Sequence, residues 1–308
     1  MQTSKIIIIA GPTASGKSGL SMDLAKSLNG VIINADSMQV YKDIPILAAT
    51  PSKKDQQQVP HKLYSIYDAS YHGNVVEWAT LCKEEIKKAF SNNEVPIITG
   101  GTGMYIEALT QGLTPIPETS IETRNNVDEM LKDKGLDYLY QYLEKIDPET
   151  HSRLAPNDTT RIRRAIEIYL DTQKTLTYWH SVPLKTFYPK DRFIKVYINP
   201  SRPELDTRLR KRFDIMIEKG AVDEVRELLK KNLKDTLPSM RALGVPELKL
   251  YLEHKLTLEE AIALAKLHTR QYAKRQSTWF NNRFKQDHLY TSCYEHDNFF
   301  VDDIKKTL

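Results

Sequence analysis

The eight residues Gly11-Pro12-Thr13-Ala14-Ser15-Gly16-Lys17-Ser18 stand directly behind the apolar run Ile6-Ile7-Ile8-Ile9-Ala10 and directly ahead of an amphipathic stretch. The run reads as a buried strand and the stretch as a helix, so the octet is the turn between them. Gly11 and Gly16 permit the tight backbone path that aims several amide N–H groups at one anion. Lys17 adds a point charge, Ser18 offers its hydroxyl to a phosphate-bound Mg²⁺, and a helix opening near Gly16 lends its partial positive charge. The pattern predicts a strand–loop–helix unit holding a polyphosphate, with Gly11, Pro12, Thr13, Ala14, Ser15, Gly16, Lys17 and Ser18 as its cradle.

Further strands follow at Val31-Ile32-Ile33-Asn34-Ala35, at Val95-Pro96-Ile97-Ile98-Thr99 and at Phe193-Ile194-Lys195-Val196-Tyr197-Ile198, with a helix carrying Val75, Val76, Trp78, Leu81 and Ile86 between the second and the third. Alternation of this kind predicts an α/β fold, a P-loop NTPase-like parallel sheet flanked by helices, whose ligands sit at the carboxyl ends of the strands. Between about 115 and 189 the text changes to charged helical patterns edged by Pro115, Pro117, Pro183 and Pro189. An inserted helical subdomain is expected there, leaving 1–114 and 190–308 as the catalytic core. Ser201 and Glu204 have the spacing of a capping box, opening a helix that runs to about Lys219 and stops at Gly220. A long helix at about 257–281 follows, and from about Gln286 onward no clear signal remains.

With 308 residues and 40% hydrophobic content the chain can fill a real core. No segment has the apolar length of a membrane span and no signal-peptide pattern precedes the first strand, so a soluble, cytoplasmic protein is expected. Cys82 and Cys293 are too few for a disulfide framework or a zinc site and read as reduced packing residues. Any metal chemistry must therefore come from oxygen ligands.

Several groups can carry chemistry. Asp36, at the end of the second strand, could act as a general base, hold Mg²⁺ through water, or simply cap a turn. Arg208 and Arg212, four apart on the capped helix, share a face that could clamp a di- or triphosphate or lie solvated. Arg161 and Arg164 share another helical face after Asn157-Asp158. The stretch from Ala261 to Gln286 contains no acid, and Lys266, Arg270 and Lys274 make a stripe on it, interleaved with Gln271, Tyr272 and Trp279. Such a row suits a nucleic-acid backbone, with aromatic and amide groups left to stack on a base, although an exposed charged face without a ligand reads the same way. The loop Gly100-Gly101-Thr102-Gly103 permits close backbone approach. The eight histidines show no metal-ligand spacing.

Taken in order, Gly11 to Ser18, Asp36-Ser37-Met38-Gln39-Val40-Tyr41, Gly100-Gly101-Thr102-Gly103-Met104-Tyr105 and Thr269-Arg270-Gln271-Tyr272-Ala273-Lys274-Arg275-Gln276 resemble the tRNA dimethylallyltransferase family over nearly the whole chain. Pro60-His61, Arg124, Asn157-Asp158 with Arg161, Arg164-Ala165-Ile166-Glu167 and Ser239-Met240-Arg241-Ala242-Leu243-Gly244 match as well. The resemblance implies transfer of a dimethylallyl group from dimethylallyl diphosphate to N6 of the adenine beside the anticodon's third base, with Mg²⁺ as cofactor and pyrophosphate as leaving group. It implies Asp36 as general base, Lys17, Thr13 and Arg212 around the leaving group, and Arg208 as a further diphosphate contact. Contacts to the flipped base and the tRNA anticodon stem-loop would fall to Asp36, Ser37, Met38, Gln39 and Thr102, to Arg124, to Thr160, Arg161, Ile162, Arg163 and Arg164, and to Gly244, joined by Lys266, Arg270 and Lys274. The protein is expected to work as a monomer. One departure stands out: where the family shows Gly-Thr-Ala-Lys-Pro after the tyrosine, this chain has Ala48-Ala49-Thr50-Pro51 and no lysine. The phosphate loop and Asp36 keep two other readings open, an ATP-dependent kinase and a nucleic-acid-binding module whose nucleotide site regulates affinity.

Overall fold

The apolar run after Lys5 forms β1 (Ile6–Ala10), wholly buried, and every other strand is arranged around it. The computed structural model describes residues 5–308. In chain order β1 leads through the glycine-rich loop into α1 (Lys17–Leu28), then β2 (Gly30–Asn34), α2 (Lys53–Gln58), the short β3 (His61–Lys62), α3 (Val75–Ser91), β4 (Val95–Gly100) and α4 (Gly103–Gln111). Four helices follow, α5 (Ile121–Ile146), α6 (Pro148–Arg153), α7 (Thr159–Thr172) and α8 (Leu176–Ser181). The chain then returns to β5 (Phe193–Ile198), α9 (Arg202–Glu218), α10 (Ala221–Leu229), α11 (Val245–Leu252), the long α12 (Leu258–Arg283), β6 (His288–Tyr290) and α13 (Asn298–Lys305).

Among the described residues the strands form one parallel sheet in the order β3-β2-β4-β1-β5-β6. β1 is central because its Ile-rich run has no polar face to offer solvent. Its register, Ala10 opposite Gly100 and Tyr197, brings the carboxyl ends of β4, β1 and β5 to one edge. That edge is where a parallel sheet presents its ligands. The core on one side joins Ile7, Ile9, Leu20, Leu24 and Ile97 with Tyr290, Tyr294, Phe300 and Ile304 from the carboxyl-terminal stretch. Two strands and one helix are too short to show a periodicity in the sequence: β3 and β6 are two and three residues long, and α13 offers two turns.

The chain divides into two compact units, Gln111–Thr186 and the remainder. The smaller is a helical cluster packed on Val127, Leu139, Leu143, Ile162, Ala165 and Ile166. Asp147 ties its turns together: the carboxylate accepts from the Thr150 and Thr177 amides and from the Thr177 hydroxyl. Both cysteines are free and buried. Ser201 caps α9 as its sequence predicts, but Glu204 does not close the box; its carboxylate accepts instead from the Cys293 amide at 2.8 Å. The carboxyl-terminal stretch is thereby tied to α9. No helix among the described residues is long and apolar enough to cross a membrane.

Candidate active site

The loop between β1 and α1 owes its shape to what surrounds it. Gly16 has φ of 95°, and a Cβ there would lie 2.6 Å from the Tyr294 carbonyl oxygen, so both conformation and space demand glycine. Gly100 is held by proximity: a Cβ on it would meet the Ala35 carbonyl oxygen at 2.1 Å. That close approach sets Asp36 beside the phosphate loop.

A cavity of about 500 Å³ opens over the loop, lined by Thr13, Ala14, Gly16, Lys17, Ser18, Asp36 and Gln39 from the loop and strand ends, by Arg208, Lys211 and Arg212 of α9, and by Glu295. A second, of about 370 Å³, is lined by Ser37, Met38, Leu47, Ala48, Phe213, Met216, Arg241, Thr269, Tyr272 and Arg275. Thr13, Asp36 and Arg212 line both. The first cavity is cationic and the second largely apolar with a polar rim, and the carboxylate stands where they adjoin.

Lys17 donates to the Pro12 carbonyl at 2.8 Å and stands half-buried on the cavity wall; burial drives its ammonium down to about 8, against the pull of Asp36. Burial also lowers Arg212, which forms no ion pair among the described residues. Two desolvated cations without a bonded counter-ion are costly in an empty cavity and favourable around an anion. Behind them the hydroxyls of Ser15 and Thr99 are buried without a hydrogen-bond partner, and Thr99 lines the cationic cavity.

Asp36 is oriented from behind by Asn34. The Asn34 amide accepts from the Asp36 N–H at 2.8 Å and donates to the Asp36 carbonyl and the Leu63 carbonyl, both at 3.0 Å. Asp36 in turn accepts from the Met38 amide, and Ser37 donates its N–H to Thr102 Oγ1 at 2.9 Å. Gln276 on α12 joins the two loops: its oxygen accepts from the Thr13 amide and its nitrogen donates to the Gly101 carbonyl, each at 2.9 Å.

A family model described as IPP transferase matches residues 39–283, most of the chain. The chain belongs to the IPP transferase family. The tRNA dimethylallyltransferase of Gluconobacter oxydans is 43% identical over 277 residues, covering 90% of this chain and 83% of that protein. Its namesake from Zymomonas mobilis is 41% identical over 294 residues, covering 96% and 92%. Among solved structures, the full-length tRNA isopentenylpyrophosphate transferase of Bacillus halodurans has a TM-score of 0.69 at 30% identity, covering 99% of this chain and 98% of that one. A eukaryotic dimethylallyltransferase acting on tRNA has a TM-score of 0.77 at 31% identity, covering 90% and 69%.

In this member of the IPP transferase family the remaining sequence-predicted residues scatter. Thr102 reaches neither cavity and acts by holding Ser37. Gln39 lines the cationic cavity, but its side-chain amide is bonded to the Ala48 and Ala49 carbonyls at 3.0 Å each. With Glu224, which accepts from the Ile46 and Leu47 amides, Gln39 pins the loop that lacks the family lysine. Arg208 reaches the cavity wall already paired with Glu295 at 2.7 Å. Gly244 opens α11 and gives its N–H to Glu247; Arg241, Ala242 and Leu243 before it are the residues facing the second cavity.

The stripe on α12 divides. Lys266 is paired with Asp214 at 2.5 Å, while Arg270 and Lys274 face a third cavity, of about 670 Å³, together with Arg202. The residues of α12 that face Asp36 are Thr269, Tyr272 and Arg275, one helical side away. In the helical unit Ile162 is fully buried in the core, so its side chain offers nothing at the surface. Arg163 is paired with Asp128 and lies near Glu167, Arg164 donates to Thr119 at 2.7 Å, Arg124 donates to the same hydroxyl at 3.1 Å, and Arg161 pairs with Asp158, the residue capping its helix. Thr160 lies exposed in the first turn of that helix.

Sequence reasoning missed Asn34, Thr99, Lys211, Glu295 and the task of Gln276. Asn34 and Thr99 sit at strand ends and read as ordinary strand residues. Gln276 ends the segment Thr269 to Gln276, but nothing in its spacing points to the phosphate loop.

Proposed function

We propose that this protein transfers a dimethylallyl group from dimethylallyl diphosphate to N6 of the adenine beside the anticodon's third base in tRNA. One observation carries the reading: Asp36, Thr13 and Arg212 line both the cationic cavity and the largely apolar one. A diphosphate seated over the loop would extend its prenyl chain past Asp36, and an extruded purine entering the second cavity would present N6 to the same carboxylate. As N6 attacks the allylic carbon, the new C–N bond forms, the C–O bond to the diphosphate breaks, and Asp36 takes the N6 proton. Charge gathers on the departing pyrophosphate, where Lys17, Arg212 and the loop amides are already desolvated and aimed. The names of the relatives agree with this substrate pair.

The donor set also fits Mg²⁺. Ser18 Oγ is an oxygen donor on the cavity wall, diphosphate oxygens and water would complete an all-oxygen shell, and among the described residues no cluster of three His, Cys, Asp or Glu competes for a softer metal. Bound there with the diphosphate, Mg²⁺ would supply further neutralisation of the leaving group. The tRNA strand would meet Arg270 and Lys274, which have no acid partner within ion-pair distance among the described residues, and Arg124, Thr160, Arg161, Arg163 and Arg164 of the helical unit. We place the protein in the cytoplasm, where its substrates are, as a monomer.

The test is incubation of the protein with unmodified tRNA and Mg²⁺ plus either dimethylallyl diphosphate or ATP, followed by nucleoside mass spectrometry. Prenylated adenosine should form with the first donor alone. Phosphate transfer from ATP without prenylation would establish a kinase instead.

A further inference from the structure

The cationic cavity contains one acid that the reaction does not use. Glu295 stands on its wall among Lys17, Arg208, Lys211 and Arg212, beyond the residues that the family model matches. Its place is fixed by the segment carrying it. Tyr294 donates its N–H to the Ser15 carbonyl at 3.1 Å, its ring packs over Gly19, and its hydroxyl donates to Asp23 of α1 at 2.7 Å. The Cys293 amide is held by Glu204 at 2.8 Å. Residues 293 and 294 therefore clamp the back of the phosphate loop, and residue 295 emerges at its rim. There the carboxylate, 78% exposed, takes a 2.7 Å contact from the Arg208 guanidinium.

We propose that Glu295 is a specificity-determining residue that makes the phosphate loop accept a diphosphate and reject a triphosphate. Lys17, Arg212 and the loop amides suffice for two phosphates. A third that reached the wall formed by Arg208, Lys211 and Glu295 would meet a guanidinium already neutralised and a negative charge beside it. It must displace Glu295 from Arg208 or lie against it. The carboxylate opposes a further negative charge there. The inference rests on the reading of this cavity as the seat of the diphosphate.

The experiment measures calorimetric dissociation constants of magnesium pyrophosphate and magnesium tripolyphosphate with the full chain, its Glu295→Gln variant and, as a control for net charge, Glu227→Gln on α10. Two unit charges about 6–8 Å apart in a water-rich site give a factor of roughly three. The tripolyphosphate-to-pyrophosphate ratio of dissociation constants should therefore fall about threefold in Glu295→Gln and stay unchanged in Glu227→Gln. An unaltered ratio in Glu295→Gln overturns the proposal. So does equal weakening of both ligands, which would make Glu295 a mere support for Arg208. If the unmodified protein bound neither anion, the diphosphate reading itself would fall, a result distinct from either of these.

Discussion

Replacing Gln276 by alanine tests whether one buried amide holds the two halves of the site in register. The side chain is 6% exposed and makes two bonds of 2.9 Å, accepting from the Thr13 amide and donating to the Gly101 carbonyl. Gly101 and Gln276 fit so closely that a Cβ on Gly101 would lie 2.2 Å from the Gln276 amide nitrogen. Truncation leaves the Gly101 carbonyl buried without a partner, at about 1–3 kcal/mol. Thr13 borders the cavity and can turn to water, so its loss is nearer 0.5–1 kcal/mol. A total of about 2–4 kcal/mol in a unit of this size lowers Tm by roughly 4–12 °C. Activity should fall further than stability, because Thr13 lines both cavities and a displacement of about 1 Å at a reacting site is worth up to about a hundredfold in rate. Thermal unfolding by circular dichroism, and single-turnover prenylation well below the new Tm, read the two effects separately. Gln276→Glu sharpens the test, since it keeps an acceptor for Thr13 and turns an oxygen toward the Gly101 oxygen. A Gln276→Ala protein that melts within a degree of the parent and turns over at the parent rate would refute the reasoning.

Asp36→Asn should lower single-turnover prenylation by about a hundredfold or more while tRNA affinity, read by filter binding, stays within about twofold; an undiminished rate removes the carboxylate from proton transfer. Because Lys17 is held down to about 8 from its ordinary 10.5, the folded protein binds fewer protons than the unfolded chain between those values. Its contribution to stability therefore rises with pH across that window, while pyrophosphate, which favours the ammonium, should bind with proton uptake and lose affinity above about pH 8. Calorimetry at pH 8.5 in buffers of different ionisation enthalpy should register that uptake, and a buffer-independent heat would contradict it. Lys274→Ala should reduce the salt slope of tRNA binding by about one unit, and an unchanged slope would leave the third cavity without an RNA role.

The parts of this site that could be read from sequence are those whose partners are near in the chain. The octet from Gly11 to Ser18 carries its own strand and helix as flanks, and Asp36 closes a strand of five buried residues, so the rule for ligands at strand ends placed both. What escaped was long-range. Gln276 meets Thr13 across 263 positions, and Tyr294 meets Asp23 across 271. The stripe at Lys266, Arg270 and Lys274 shows a different limit of sequence. Its spacing correctly described one helical face, but spacing does not say what a face looks at, and Asp214 on the neighbouring α9 had already claimed the first of the three.

The distribution of ion pairs explains why the cationic cavity, and not the more numerous surface charges, is the place to expect chemistry. The arginines of the helical unit and Lys231, Lys249 and Lys266 elsewhere stand within 4 Å of an acid, in water, where such pairs contribute little. Lys17 and Arg212 are the reverse: half-buried in the cavity wall, partly desolvated, without a bonded acid and feeling Asp36 only through space. Folding alone would not favour that arrangement, because a hydrophobic pair of the same volume would carry no desolvation cost. Substituting Arg212 by methionine should then raise the Tm of the ligand-free protein by about 1–3 °C and abolish the stabilisation that pyrophosphate gives the parent. If Arg212→Met lowered the ligand-free Tm instead, the guanidinium would be a structural element of the fold, and the argument from its isolation would fail.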